Sequence, residues 1–308
     1  MFRITTAALL ISCASLSLAE EAKYNSAYAR INVDAQISEE GEEQFTEVKS
    51  NNTWIGMKGN VPIEDTGLRV VYRLEWTVGI NEADAGSNLT PRPQYVGIAG
   101  KAGQLHAGRD FTPVWGAVGG VDLFNHYEGD IKNLWEGENR LSSVIVYSSP
   151  KWNNVSAKVL YEAEREAGGD SATSASVSYG DKSFKHSRFF AAIGHDFDLD
   201  GHDLTRAAFQ YKMDAHKIGV AVQQQKDSRV EDAETEFGTL LSYSYFDGTL
   251  DYRFQYQTME DNSGISVGID YPIAKMTKLF TWFTTFDKNE EDSNYLAFGI
   301  EHRFSRGF

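Results

Sequence analysis

The 308-residue chain carries 44 acidic and 29 basic side chains, a net charge of −15, which argues against nucleic acid as a partner. Its one cysteine, Cys13, lies in the first twenty residues, so the rest of the chain offers neither disulfides nor thiol chemistry. A mean hydropathy of −0.41 would suit a soluble protein, yet aromatics make up 13% of the chain and prolines number only 6. That combination also suits a transmembrane barrel, in which half of every strand faces water.

The N-terminus reads as a targeting segment: Arg3 is followed by a short apolar stretch, and Ser17-Leu18-Ala19 is a small-x-small cleavage site. The expected division is a signal peptide over residues 1–19 and a barrel over 20–308. Leu10-Ile11-Ser12-Cys13 also resembles a lipobox, so lipid attachment at Cys13 is the alternative to cleavage after Ala19. Cleavage would remove one Arg and no acid, making the net charge −16. No run of about 20 apolar residues follows, so a membrane-spanning helix is not expected.

Period-two alternation then recurs along the chain, broken by turn residues. Ala29, Ile31, Val33, Ala35 and Ile37 alternate with Tyr28, Arg30, Asn32, Asp34 and Gln36. Leu68, Val70, Tyr72, Leu74, Trp76 and Val78 alternate with Arg69, Val71, Arg73, Glu75 and Thr77. Further on, Leu250, Tyr252, Phe254 and Tyr256 face away from Asp251, Arg253, Gln255 and Gln257. In a soluble sandwich the apolar faces would form a core; in a membrane barrel they would meet lipid and the charges would line a lumen.

Connection lengths favour the barrel. Tight links at residues 61–67, 100–103, 150–154, 214–216, 246–248 and 272–275 alternate with longer acidic ones at 38–49, 80–93, 164–172, 226–236 and 287–293. Short turns at one end and longer loops at the other are the asymmetry of bacterial barrels. The pattern predicts 16 strands: 26–37, 50–60, 68–79, 94–100, 103–110, 141–149, 155–163, 173–179, 188–197, 204–213, 217–225, 237–245, 250–258, 264–271, 277–286 and 294–305. Tyr147, Trp152, Tyr179, Tyr211, Tyr243, Tyr245, Phe246 and Tyr271 fall near strand ends, as an interfacial girdle requires.

Between Arg109 and Arg140 lie roughly 30 residues with no clear period. So long an irregular stretch inside a compact domain implies a functional loop.

The chain resembles the general porins of Gram-negative bacteria. The resemblance rests on Tyr95-Val-Gly-Ile-Ala-Gly100, Gly103-Gln-Leu-His-Ala-Gly-Arg109 and Phe111-Thr-Pro113, which look like the strand-turn-strand leading into the family's third loop. Trp54-Ile-Gly-Met-Lys-Gly59, Leu68 to Glu75 and Arg140 to Pro150 are similar to further family strands, and Phe308 ends the chain as the family's barrel-assembly signal does. The resemblance implies an all-β fold, a 16-stranded antiparallel transmembrane β-barrel with an inward-folded third loop. It implies a homotrimer in the outer membrane, surrounded by lipid and lipopolysaccharide, that passes small hydrophilic solutes without cofactor, metal or catalytic residues. It also implies acids on the loop facing bases on the wall. The loop candidates here are Asp122, Glu128, Asp130, Glu136 and Glu138, and the wall candidates are Arg30, Arg69, Arg73 and Arg92. A latch to a neighbour would use Glu82 or Asp84 against an Arg such as Arg109.

The chain departs from that family at two bases: Val146 stands where it has a second Arg, and Trp54 where it has an Arg on the second strand. With Trp115 and Trp135 on the loop, the added indoles suggest either oligosaccharide contacts at the constriction or anchors that pin the loop. The acidic total and the thinned wall lead us to expect cation preference. Two other barrel functions fit the fold class. An enzyme could use His195 and His202 amid Asp196, Asp198, Asp200 and Asp203, and an adhesive barrel could use its acidic loops.

Overall fold

A computed structural model describes residues 24–81, 88–164, 171–289 and 291–308. The targeting segment with Cys13, and the proposed latch acids Glu82 and Asp84, lie outside the described residues.

Seventeen strand segments form one antiparallel sheet that closes on itself. They are β1 (Asn25–Glu40), β2 (Glu43–Ser50), β3 (Trp54–Ile63), β4 (Leu68–Val78), β5 (Leu89–Gly100), β6 (Gly103–Phe111), β7 (Arg140–Ser148), β8 (Val155–Glu162) and β9 (Ala172–Gly180), then β10 (Phe189–Leu199), β11 (His202–Met213), β12 (His216–Asp227), β13 (Glu236–Phe246), β14 (Asp251–Met259), β15 (Asn262–Ala274), β16 (Thr277–Lys288) and β17 (Glu291–Gly307). β2 and β3 both pair with β1, over Val33–Glu40 and Asn25–Arg30 respectively, so they are two halves of one wall position. The barrel therefore has 16 strand positions. β1 pairs with β17 from Ser26↔Gly307 to Glu40↔Ser293, which leaves no sheet edge exposed.

The side-chain pattern is inverted relative to a soluble protein. On β1, Ile31 and Ile37 are 43% and 42% exposed while Asn32, Asp34 and Gln36 are 0–2% exposed. Val96, Ile98, Ile145, Val177, Ile193, Ile218 and Leu241 likewise point outward, away from buried neighbours such as Gln210, Gln223 and Gln255. An outer surface this apolar needs lipid around it, and a closed barrel satisfies its backbone hydrogen bonds internally. Tyr147, Tyr179, Tyr211, Tyr243, Phe246 and Tyr271 are exposed at the end of the barrel that carries the turns at 149–154, 181–188, 214–215, 247–250 and 275–276. There the rings stack: Tyr179 on Phe189 at 5.2 Å, and His216 between Tyr243 and Tyr245. That is the expected girdle on one rim.

At the opposite end the expected loop asymmetry holds only in part. The 28 residues between β6 and β7 are the longest connection, but residues 38–49 and 287–293 are mostly strand. β1 runs on to Glu40 and turns at Gly41, whose φ of +59° suits a residue without a side chain. β16 and β17 stay paired as far as Lys288↔Glu291. Acidic composition suggested loops there; alternation carried through the acids, and the ladder continued.

The candidate functional site is the lumen constriction

The connection after β6 enters the barrel. Thr112 caps a five-residue helix, α1 (Pro113–Ala117), by accepting from the Trp115 N–H. α1 packs on β8–β11, with Ala117 against Phe190 and Ala192. The chain then crosses the lumen in two apolar footholds. Val118, Val121, Ile131 and Trp135 pack on Ala208, Ala221, Leu240 and Met259 of β11–β14. Leu123, Phe124 and Tyr127 pack on Phe280, Trp282 and Ala297 of β16–β17.

Lumen-facing glutamines tie the loop backbone to the wall between these footholds. Gln210 accepts from the Gly120 N–H, and Gln255 accepts from the Leu123 N–H. Gln255 and Gln257 donate to the Gly129 carbonyl, and Gln223 donates to that of Glu136. Buried amides of this kind satisfy a loop that would otherwise carry bare backbone groups inside the barrel.

The loop carboxylates serve the loop's own structure. Asp122, 7% exposed, accepts from the backbone of Phe124 and Ile131 and from Asn125 and Gln255. Asp130, 2% exposed, accepts from the N–H groups of His126 and Lys132. Glu138 pairs with the buried guanidinium of Arg206, and Glu128 reaches Lys49 and Gln36 on the far wall. Burial raises the carboxyl pKa of Asp122 to about 8, with Asp130 and Glu138 adding repulsion. Asp130 and Glu138 are also raised, first by burial. His126 is held well below its ordinary value by burial and then by Arg30 and Arg92. These carboxylates do not form a row facing the basic wall. Glu128, Asp130 and Glu138 line a vestibule toward the loop end, together with Lys49, Arg92 and Arg140. Glu136 is exposed and lines neither this vestibule nor the constriction; its backbone, not its carboxylate, meets the wall.

The narrow part of the lumen is a cavity of about 490 Å³ between the loop and the wall. Arg30, Arg73, Arg92, Lys182, Arg253, Lys278 and Arg303 line it against a single carboxylate, Glu301. Other acids sit behind the bases. Glu75 is fully buried beneath Arg73 and Arg92, and Asp270 lies beneath Arg253 and Lys278. Glu301 takes Arg30 at 2.8 Å and Arg303 at 2.5 Å. The side chains of Glu75, Asp270 and Glu301 are 0%, 8% and 6% exposed, whereas Arg73 is 31% and Arg303 53% exposed. Water in the channel therefore meets Arg73 and Arg303 before Glu75 and Glu301, while Arg30 and Arg92, 7% and 6% exposed, are buried with the acids they hold.

Three of the four expected wall arginines, Arg30, Arg73 and Arg92, come together here. Arg69 shares their inward parity but lies four residues further along β4, about 13 Å toward the turn end, where it is exposed. Trp54 lines the cavity, edge-on to Tyr28 at 5.2 Å. Trp115 lines it too, stacked at 3.9 Å on Phe111, whose ring also lies under the Arg140 guanidinium. Trp135 does not reach it: 2% exposed, its indole N–H donates to the Thr258 carbonyl at 2.7 Å. It is a pin. Val146, in the place of a family base, joins an apolar patch with Val144 and Leu160.

Lys182, Arg253, Lys278 and Arg303 also line the cavity, beyond the residues the sequence pointed to. Parity marks Arg253 as inward, but Lys182 sits on the β9–β10 turn and has no period to read. Of the histidines weighed for catalysis, His195 bonds to the Thr205 hydroxyl and His202 to the Asp200 carbonyl, within their own hairpin.

The model of the Gram-negative porin family matches residues 5–307. The chain belongs to this family. The major outer membrane protein P.IB of Neisseria meningitidis serogroup B is 25% identical over 280 residues, covering 81% of this chain and 82% of that protein. Among solved structures, an anion-selective porin from Comamonas acidovorans superposes with a TM-score of 0.77 at 15% identity, over 91% of this chain and 99% of that one. OmpF of Salmonella typhi, solved with daunomycin, gives 0.70 at 13% identity over 91% and 97%. The porin is thus a channel of the outer membrane for diffusing solutes, and its 16-position barrel is the fold these relatives share.

Proposed function

We propose that this porin prefers small anions, in place of the cation preference expected from its net charge. One observation carries the reading: at the constriction Arg73, Lys278 and Arg303 face the channel water while Glu75, Asp270 and Glu301 are buried behind them. Selectivity follows the charge that the permeating ion meets at close range, focused by low-dielectric walls. The acids that make the total negative, such as Glu39, Glu40, Glu42, Glu43, Glu231, Asp232 and Glu234, are exposed on the loop rim. There salt screens them within about 8 Å at physiological strength. The structural neighbour from Comamonas acidovorans, an anion-selective porin, agrees with this reading.

The constriction residues that would set this preference are Arg30, Arg73, Arg92, Arg253, Lys278 and Arg303. The working form is a homotrimer, in keeping with the family, with Phe308 as the signal read by the barrel-assembly machinery. Trp54 and Trp115, both on the cavity wall, support a second reading in which planar rings also contact sugars.

The test is the reversal potential of the purified porin in a planar bilayer under a potassium chloride gradient. Anion preference gives the sign of chloride permeation. The cation sign would overturn the proposal. Reversible block by maltooligosaccharides, lost in Trp54→Ala, would establish the second reading.

A further inference from the structure

Beneath α1, toward the turn end, the lumen opens into a side chamber of about 460 Å³ on the β7–β10 wall. Its lining is set by strand register. Ser148 lies beside Lys158, which lies beside Ser176; in the next row Ser156 lies beside Ser178, and their hydroxyls meet at 3.0 Å. Lys151 enters from the β7–β8 turn and Lys182 from the β9–β10 turn. Lys182 lines the constriction as well, so the chamber opens off the conducting path.

The chamber's charge is lopsided. Lys151, Lys158, Lys182 and Arg73 face only Asp110 and Asp181. Both acids are already engaged: Asp110 holds Lys158 and His106, and Asp181 accepts from the N–H groups of Ser183, Lys185 and His186 in its own turn. The ammonium groups keep donors to spare, since each has three protons. Lys151 spends one on the Gly180 carbonyl and Lys158 two, on Asp110 and the Phe111 carbonyl. Among the described residues Lys182 has no ion pair. Partial desolvation in the barrel mouth and then repulsion from Lys158 hold its amine below the ordinary value. A bound anion would relieve that repulsion.

We propose that this chamber is a transient binding site for a phosphate-like oxyanion, held by Lys151, Lys158 and Lys182 and by the hydroxyls of Ser176 and Ser178. The site rests on the anion-preferring reading above and adds to it a chemical class. Charge-assisted hydrogen bonds to several oxygens favour an oxyanion over chloride, which offers one diffuse acceptor. Ammonium and hydroxyl donors rather than a stacked fork of guanidiniums keep the hold weak enough for release, as conduction requires.

Chloride current through the porin would be recorded at constant ionic strength while inorganic phosphate is added to either side. A transient site gives a saturable reduction of chloride current as phosphate rises. Lys182→Gln, on an exposed turn, raises the half-blocking concentration about tenfold, the worth of one hydrogen bond to a charged group. Ser178→Ala gives a smaller shift in the same direction and serves if the lysine variant does not assemble. A linear dependence on phosphate in the wild type, with the reversal potential still of the anion sign, overturns the oxyanion site and leaves the anion preference standing. The same half-blocking concentration in Lys182→Gln and Ser178→Ala also overturns it. A cation sign overturns both.

Discussion

Trp135 is the residue on which the docked loop can be tested most directly. The ring is 2% exposed, packs with Ile131 on Leu240 and Met259, donates to the Thr258 carbonyl and lies 5.6 Å from the Arg206 guanidinium. Truncating a buried Trp to Ala costs about 3–5 kcal/mol in a packed core. The barrel ladders do not pass through Trp135, so the cost falls on docking of the loop. At about 1.4 kcal/mol per decade, the ratio of released to docked loop rises about a thousandfold. Trp135→Phe keeps most of the packing and loses one hydrogen bond, about 1 kcal/mol, or roughly a fivefold change. Single-channel recording of Trp135→Ala is therefore expected to show larger, noisier openings, with Trp135→Phe close to wild type. Trypsin should cut faster at the exposed Lys132 in the same order. Unchanged conductance, noise and cleavage in a Trp135→Ala barrel that still shows heat-dependent gel mobility would refute the anchoring role.

Gly238→Ala is expected to reproduce the Trp135→Ala channel without touching the indole, because a Cβ there would sit 2.6 Å from its nitrogen and 2.7 Å from the Thr258 carbonyl. Glu301→Gln removes the carboxylate shared by Arg30 and Arg303, so the reversal potential should move further toward the anion side. The same variant should unfold at a lower temperature, since breaking a buried pair costs on the order of 3 kcal/mol. Acidification should tighten the loop: Asp122, Asp130 and Glu138 have raised pKa values when docked, so the docked loop binds more protons than the released one. That stabilisation is complete below the ordinary carboxyl value near about 4 and is lost as pH rises toward about 8 for Asp122. His126 acts oppositely below about 6.5, where the released loop would take a proton that the docked loop refuses. Open-channel noise should therefore fall between pH 8 and 6.5, and Asp122→Asn should flatten that slope.

The strand positions were legible because alternation survives wherever one face meets lipid and the other water. Ile31 against Asn32, and Phe254 against Gln255, declare their sides by chemistry alone. Ends were harder. Glu39, Glu40, Glu291 and Asp292 read as loop residues by composition, yet Glu39 and Glu40 continue the β1–β17 ladder and Glu291 and Asp292 the β16–β17 ladder. The loop was legible as a long aperiodic stretch, but which of its residues faced water was not. Trp115 and Trp135 are chemically equal in sequence. What separates them is a partner 123 residues away, the Thr258 carbonyl, and nothing local encodes that distance. Arg69 failed for a simpler reason: parity fixes a side of the wall, not a depth along it.

The sign of selectivity could not be read from composition because net charge and lumen charge are separate sums. Many of the exposed acids lie on the loop rim, among them Glu39, Glu40, Glu42, Glu43, Glu231, Asp232 and Glu234, facing bulk salt. Loop acids do not balance the wall here: Asp122 and Asp130 turn to backbone N–H groups and Glu138 to Arg206. A carboxylate held by several donors and then buried contributes little potential to the water beside it, while Arg73 and Arg303 stay solvated and in reach of a passing ion. The same geometry explains why bases can crowd this constriction without pushing the wall apart. Each hidden acid is shared: Glu75 by Arg73 and Arg92, Asp270 by Arg253 and Lys278, Glu301 by Arg30 and Arg303. Two cations share one buried carboxylate at Glu75 and at Glu301, while Arg253 also pairs with the half-buried Asp251, so the wall gains positive charge at Arg73 and Arg303 where solutes pass.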